Sequence, residues 1–197
     1  MRIIYYISIF FLYLLDRVYS RVTVYGKEHM PKGAFIMASN HISNFDPFLL
    51  GLTSIRFYGF MAKEDLFKNK LMSFFFYQVG AFPVKRDTVD FYAVREALRR
   101  LKSGQPLIMF PEGTRGVSGR VKKINPGIGL LVQKSKVPVL PAYIKGSDKA
   151  LPHNAKWFKR YPVTIVIGEP ITFRDDMTHT EIALAIMDKV QSLADVV

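Results

Sequence analysis

Six short apolar runs, punctuated by turn residues, constrain this chain more than any other feature. They are Val22 to Tyr25, Ala34 to Ala38, Tyr58 to Ala62, Leu107 to Phe110, Val139 to Ile144 and Val163 to Ile167. Runs this short and this continuously apolar suit strands covered on both faces. Apolar residues at helical intervals fill much of the rest: Pro47 to Ile55, Leu66 to Gln78, Thr88 to Lys102, Gly127 to Lys134 and Thr178 to Leu193. The alternation predicts an α/β domain, a mixed sheet flanked by helices. Asp87 or Thr88 is the expected cap of the third of these helices and Gly104 its stop. With 197 residues, 49% of them apolar, the chain has enough material for one sizeable core and is not a disordered segment.

The N-terminus stands apart from this pattern. Ile3 to Leu15 is apolar throughout, 13 residues bounded by Arg2 and by Asp16-Arg17. A membrane-spanning helix needs about 20 residues. The segment is therefore expected to lie in or dip into one leaflet, with the core of a signal peptide and a buried helix as the other readings. Arg2, Arg17, Arg21 and Lys27 flank it and suit anionic headgroups. This divides the chain into a membrane-associating helix over residues 1–20 and a catalytic domain over residues 21–197.

Between the second strand and the helix after it stands Ser-Asn-His-Ile-Ser-Asn-Phe-Asp-Pro, residues 39–47. Strand-to-helix turns are where α/β folds hold functional side chains. His41 titrates nearest neutral pH and can take up and release a proton. A carboxylate on its other ring nitrogen, the part Asp46 offers, would fix the tautomer and stabilise the imidazolium. A protein nucleophile is missing: cysteine is absent, no Gly-x-Ser-x-Gly elbow occurs, and nothing marks Ser43 as activated. The nucleophile is then a hydroxyl on the substrate. Asp46 precedes Pro47, so it also reads as a plain helix N-cap.

Charge locates the partner. Lys and Arg number 28 against 16 Asp and Glu, a net +12, and Val84 to Lys136 holds twelve of the former and four of the latter. Such a zone expects an anion: a phosphate-bearing substrate, an acidic lipid surface or nucleic acid. Two loops stand out within it. Gly80-Ala-Phe-Pro-Val-Lys-Arg86 ends an apolar piece in paired cations, and Phe110-Pro-Glu-Gly-Thr-Arg115 turns sharply after a buried strand. Arg115 offers a planar fork to phosphate oxygens, and Glu112 could hold that fork or accept from a substrate hydroxyl. Phosphate-loop and dinucleotide fingerprints are both missing. The aromatic stretch Leu71 to Phe82 reads as core, or as a face for lipid or an acyl chain.

Asn40-His41-x-x-x-x-Asp46, Gly80 to Arg86, Phe110 to Arg115 and Val137-Pro-Val-Leu-Pro141 together resemble, in order, the four blocks of the PlsC-type glycerolipid acyltransferases, the 1-acylglycerol-3-phosphate acyltransferases and their relatives. The resemblance spans Asn40 to Ile144. It implies catalysis by His41 as general base with Asp46 as its orienting partner, and an acceptor site drawn from Asn40, Lys85, Arg86, Glu112, Gly113, Thr114 and Arg115. The Pro138 to Pro141 block would line the acyl or donor region. The implied reaction moves an acyl group from acyl-CoA or acyl-carrier-protein to the free hydroxyl of lysophosphatidate, giving phosphatidate, with no acyl-enzyme, metal or cofactor. The implied setting is the cytoplasmic face of the cell membrane, peripheral or monotopic, against anionic lipid and without nucleic acid. In many relatives a basic residue precedes the Pro-Gly after the third block; Asn125 stands there here.

Three competing readings remain at this level. The same family chemistry could serve another lysolipid or glycerol 3-phosphate. A basic nucleic-acid-binding protein would share the charge, although the aromatics here are not interleaved with cations as stacking platforms are. A membrane-surface hydrolase would use water in place of the acceptor.

Overall fold

The structure, a computed structural model, describes residues 3–19, 21–85, 90–112, 124–152, 157 and 159–196. Seven strands form one sheet in the order β1-β7-β6-β2-β5-β3-β4. Strands β2 (Ile36–Ser39), β3 (Gly59–Lys63), β4 (Ala81–Val84), β5 (Leu107–Met109) and β6 (Val139–Lys145) run parallel, while β7 (Thr164–Ile167) is antiparallel to β6 and carries β1 (Thr23–Tyr25) parallel beside it. The sheet is mixed, as the alternation of runs predicts.

Six of the strands coincide with the six apolar runs to within a residue or two; β4 does not appear among them. It has only four residues and contains Pro83, which cannot donate to a ladder. It is tolerated because β4 is the outermost strand and pairs with β3 alone. Helix α4 (Phe91–Lys102) starts later than expected: its cap is Asp90, whose carboxylate accepts from the Tyr92 and Ala93 amides. Asp87 and Thr88, the expected caps, lie outside the described residues. Helix α3 (Lys70–Gln78) is likewise trimmed by a cap at Asn69, with Glu64–Phe67 forming a separate 3-10 turn. Helix α5 (Gly127–Ser135), the short α6 (Ser147–Ala150) and α7 (His179–Ser192) complete the set, α7 opening on a full capping box at Thr178 and Glu181.

The sheet separates two cores. On one face α1 (Ile3–Tyr19), α2 (Asp46–Gly51) and α3 pack over Met37, Phe60, Leu140 and Ile165. On the other, α4, α5 and α7 cover Ile36, Leu107, Val139 and Phe82. Neighbouring β2 and β5 therefore send their chains to opposite faces, β2 to α2 and β5 to α5. That divergence opens a crevice at their carboxyl ends, where open α/β sheets bind ligands. The register aligns the edge: Ala38 stands beside both Met109 and Pro141.

Helix α1 has 17 residues, longer than the apolar run predicts but still short of a bilayer. Among the described residues no helix is long and apolar enough to cross a membrane. It docks along one stripe. Tyr5 is buried, bonded to the Arg56 carbonyl and edge-on to Phe57, Ile9 meets the core, and Asp16 accepts from the Val22 amide. The remaining faces expose Ile3, Ile7, Phe10, Phe11, Tyr13, and Val18 to solvent.

Candidate active site

The turn after β2 is built from inward-facing polar side chains. Asn40 is buried and its amide makes a two-point clamp on β6: Nδ2 donates to the Ile144 carbonyl at 2.9 Å, and Oδ1 accepts from the Ile144 amide at 2.7 Å. Ser39 adds a bond to the same oxygen. Asn40 thus ties the ends of β2 and β6 together, and its amide is turned away from the crevice. That fixed end sets the direction in which His41 leaves the strand.

Asp46 is fully buried in the first turn of α2. The capping reading fails: Phe45 holds the N-cap position, and the Asp46 carboxylate points back into the turn it follows. Oδ2 accepts from the amides of Ile42 and Ser43 and from His41 Nδ1, each at 2.8 Å. Two backbone N–H groups converging on that oxygen make it an acceptor, so the His41 nitrogen facing it is the one that carries hydrogen. In the neutral ring Nε2 is then left with its lone pair, the form a general base requires. Among the described residues Oδ1 of Asp46 is buried without a hydrogen bond.

The His41 ring is fixed on a second side by Phe110, which stacks on it with centroids 4.1 Å apart and planes 20° from parallel. The sequence places Phe110 in the loop after β5 but gives it no role; its place one residue past β5, level with the turn after β2, is what brings it there. The imidazole keeps 14% of its surface open, enough for a small group to approach. Ser43 is buried, and its hydroxyl is spent on the Leu151 carbonyl and the Phe45 amide.

Glu112, two residues past Phe110, is buried. Tyr143 of β6 shares its surroundings: burial, and then the carboxylates of Glu112 and Asp148, push the Tyr143 hydroxyl pKa above its usual value. Lys85 stands exposed at the end of β4, its backbone amide held by the same Asp90 that caps α4. Counted across β5 and β3, β4 lies three strand spacings from β2, about 14 Å. The structure thus brings His41 and Asp46 into contact, places the buried Glu112 two residues past the Phe110 that stacks on His41, and sets Lys85 at the rim of the same edge. Arg86, Gly113, Thr114 and Arg115 lie outside the described residues. Among the described residues no group of three or more His, Asp or Glu is placed to hold a metal ion.

A small apolar crevice lies between α1 and α2, lined by Tyr5, Ile9, Leu12, Pro47, Phe48 and Val79. The Val137 to Pro141 block, for which the resemblance implies an acyl-lining role, sits elsewhere: β6 is central, with Leu140 wholly buried in one core and Val139 in the other.

Residues 21–145 match the family model described as Acyltransferase, a span that takes in every candidate residue named above. The chain is 31% identical over 152 residues to the 1-acyl-sn-glycerol-3-phosphate acyltransferase of Bacillus subtilis, covering 76% of this chain and 73% of that protein. It is 27% identical over 158 residues to a chloroplastic 1-acyl-sn-glycerol-3-phosphate acyltransferase of Brassica napus, covering 77% of this chain but only 45% of the other. Among solved structures it is similar to the 1-acyl-sn-glycerophosphate (LPA) acyltransferase PlsC of Thermotoga maritima, with a TM-score of 0.76 and 30% identity, covering 90% of this chain and 72% of that one.

Proposed function

The chain belongs to the acyltransferase family, and from that premise we propose that it esterifies the free hydroxyl of 1-acylglycerol 3-phosphate, giving phosphatidate, with acyl-CoA or acyl-carrier-protein as donor. The observation that carries the mechanism is the buried Asp46 carboxylate 2.8 Å from His41 Nδ1, which leaves Nε2 as the ring nitrogen available to a substrate hydroxyl.

In this mechanism His41 Nε2 takes the proton of the acceptor hydroxyl as its oxygen attacks the thioester carbonyl. A tetrahedral oxyanion forms, the carbon–sulfur bond breaks, and the imidazolium returns its proton to the departing thiolate. Asp46 holds the ring and stabilises its charged form, and Phe110 prevents the ring from swinging. No acyl-enzyme is needed, which agrees with a chain without cysteine and with a Ser43 hydroxyl committed to its own turn. The cations Lys85, Arg86 and Arg115 suit the acceptor phosphate, with Glu112, Gly113 and Thr114 shaping the same pocket. The outward faces of α1 suit the boundary of a bilayer, which would make residues 1–20 a membrane-associating helix on a catalytic domain of residues 21–197, working at the cytoplasmic face of the cell membrane.

The test is free-thiol release from acyl-CoA and from acyl-carrier-protein in detergent micelles, with and without lysophosphatidate, for wild type and His41→Ala. Release that needs both acceptor and His41 supports the proposal and identifies the donor. Release without acceptor would point to hydrolysis instead. Release that responds to glycerol 3-phosphate or another lysolipid but not to lysophosphatidate would replace the acceptor.

A further inference from the structure

The chain has one tryptophan, and it is 82% exposed. Trp157 belongs to the connection from β6 to β7. Because β7 runs antiparallel to β6, this connection stands at the edge where β2, β5 and β6 all end. It is joined to the His41 turn directly, Ser43 Oγ donating to the Leu151 carbonyl at 3.2 Å. Its far end meets the start of β1, where the Thr23 amide donates to the Val163 carbonyl at 2.9 Å. The start of β1, just past α1, and the end of the connection that carries Trp157 are therefore side by side.

The chemistry of the combined surface is consistent. Arg17 and Arg21 stand exposed on the α1–β1 side, and Lys149, Lys159 and Arg160 on the other. Lys149 is held against Tyr161, donating to its hydroxyl at 3.1 Å. Among the described residues of these segments the carboxylates are Asp148, and Asp16, which is engaged by the Val22 amide. Apolar groups are exposed in the same adjoining segments: Leu14, Leu15 and Val18 of α1 are 47%, 43% and 59% exposed, and Trp157 82%. Cations, an exposed indole and aliphatic side chains on these adjoining segments match the headgroup layer of an anionic bilayer, where Trp settles with its ring at the boundary and Lys and Arg meet phosphates.

We infer that Trp157, Lys159 and Arg160, with Arg17 and Arg21, form a headgroup-binding surface that seats the mouth of the active site on anionic lipid. The inference rests on the proposed action at a lipid surface and adds a second contact to that of α1. The contact is chain-distant from α1, so it fixes orientation as well as attachment. Two contacts define how the catalytic edge meets the membrane, where one helix would leave rotation about its axis open.

The lone tryptophan is its own reporter. The full chain is titrated with vesicles of phosphatidylcholine alone and of phosphatidylcholine mixed with phosphatidylglycerol, following indole emission and sedimentation together. Emission should shift to the blue with the mixed vesicles only, and added salt should reverse it. Lys159→Gln with Arg160→Gln should weaken partitioning about 25-fold, from about five-fold for each cation near the surface. Thiol release in detergent micelles should be unchanged in that variant. Wild type that sediments with the mixed vesicles while its emission stays put would overturn the inference and leave the membrane role of α1 standing, as would equal shifts on both vesicle types. Failure of acyl transfer in micelles strikes the proposed reaction instead, and the emission result stands apart from it.

Discussion

Replacing Asp46 with asparagine separates its catalytic part from its structural one. The substitution keeps the size of the side chain, and the two amides of Ile42 and Ser43 require an oxygen where Oδ2 now sits. The new carbonyl must therefore face His41, and the NH2 must take the place of Oδ1, a buried position without a partner among the described residues. Burying that donor should cost about 1–3 kcal/mol of stability. The imidazole keeps its tautomer, since Nδ1 still meets an acceptor. What disappears is the negative charge 2.8 Å from the ring that becomes cationic during the reaction. A unit pair at about 4 Å and an effective dielectric of about 20 is worth roughly 4 kcal/mol. Part of that survives as the amide dipole, so a loss of about 3 kcal/mol, or 10²- to 10³-fold in kcat, is expected. Acceptor KM should hardly move, because Asp46 is fully buried and cannot touch the substrate. Acceptor-dependent thiol release measures both constants, and urea unfolding measures the stability. A variant that loses stability but keeps kcat within a few-fold would show that Asp46 only braces its turn.

Four further outcomes are expected. His41→Ala should lower thiol release at least 10³-fold while circular dichroism and Tm stay near wild type, since Asp46 keeps its Ile42 and Ser43 amide donors when the ring is gone; near-normal turnover would refute the mechanism. Phe110→Leu should reduce kcat about ten-fold with KM unchanged, because it frees the imidazole to rotate; an unchanged kcat would make the stack incidental. Glu96 bonds Arg99 and Arg100, which hold its carboxyl down at about 2, against burial, from a usual 4.5. Its folded pKa is depressed, so its stabilisation is present above pH 4.5 and lost as pH falls from there toward 2, on the order of 1 kcal/mol after solvent screening; Glu96→Gln should flatten that part of the pH–stability curve in urea titrations. Phe10→Ser with Phe11→Ser should weaken vesicle sedimentation at unchanged Tm, because both rings are exposed at 59%; unaltered sedimentation would remove α1 from the membrane contact.

Much of the fold was legible because each strand of a doubly covered sheet announces itself as an apolar run, and β4, whose apolar piece is interrupted by Pro83, was the one that did not read as a strand. The catalytic pair was legible for a chemical reason: a histidine and a carboxylate five residues apart at a strand-to-helix turn can meet within that turn. Its internal geometry was not. A residue before proline at a helix start looks like a cap, and only the three-dimensional turn shows that the Ile42 and Ser43 amides reach the Asp46 carboxylate first. The same limit applies to Phe110 and Asn40. One stacks on His41 and the other clamps Ile144, over sequence separations of 69 and 104 that no local pattern records.

Helix α1 shows how one segment can serve two demands that sequence reading treats as alternatives. A helix apolar on every side is either buried in protein or placed in lipid. Here the stripe of Tyr5, Ile9 and Leu12 walls the crevice beside α2, and Asp16 fastens the far end to Val22, while the other faces remain bare. A tether would leave the catalytic domain free to tumble above the surface. A helix docked at both ends instead carries the domain rigidly, so a plane that accepts its outer faces limits where the His41 edge can point to rotations about the helix axis, which the Trp157 contact would fix. Removing residues 1–16 outright would therefore strip Tyr5 and Ile9 from the core as well as the exposed rings from the surface, and its effect could not be assigned to attachment alone. Substitutions confined to the outer face are the ones that separate the two demands.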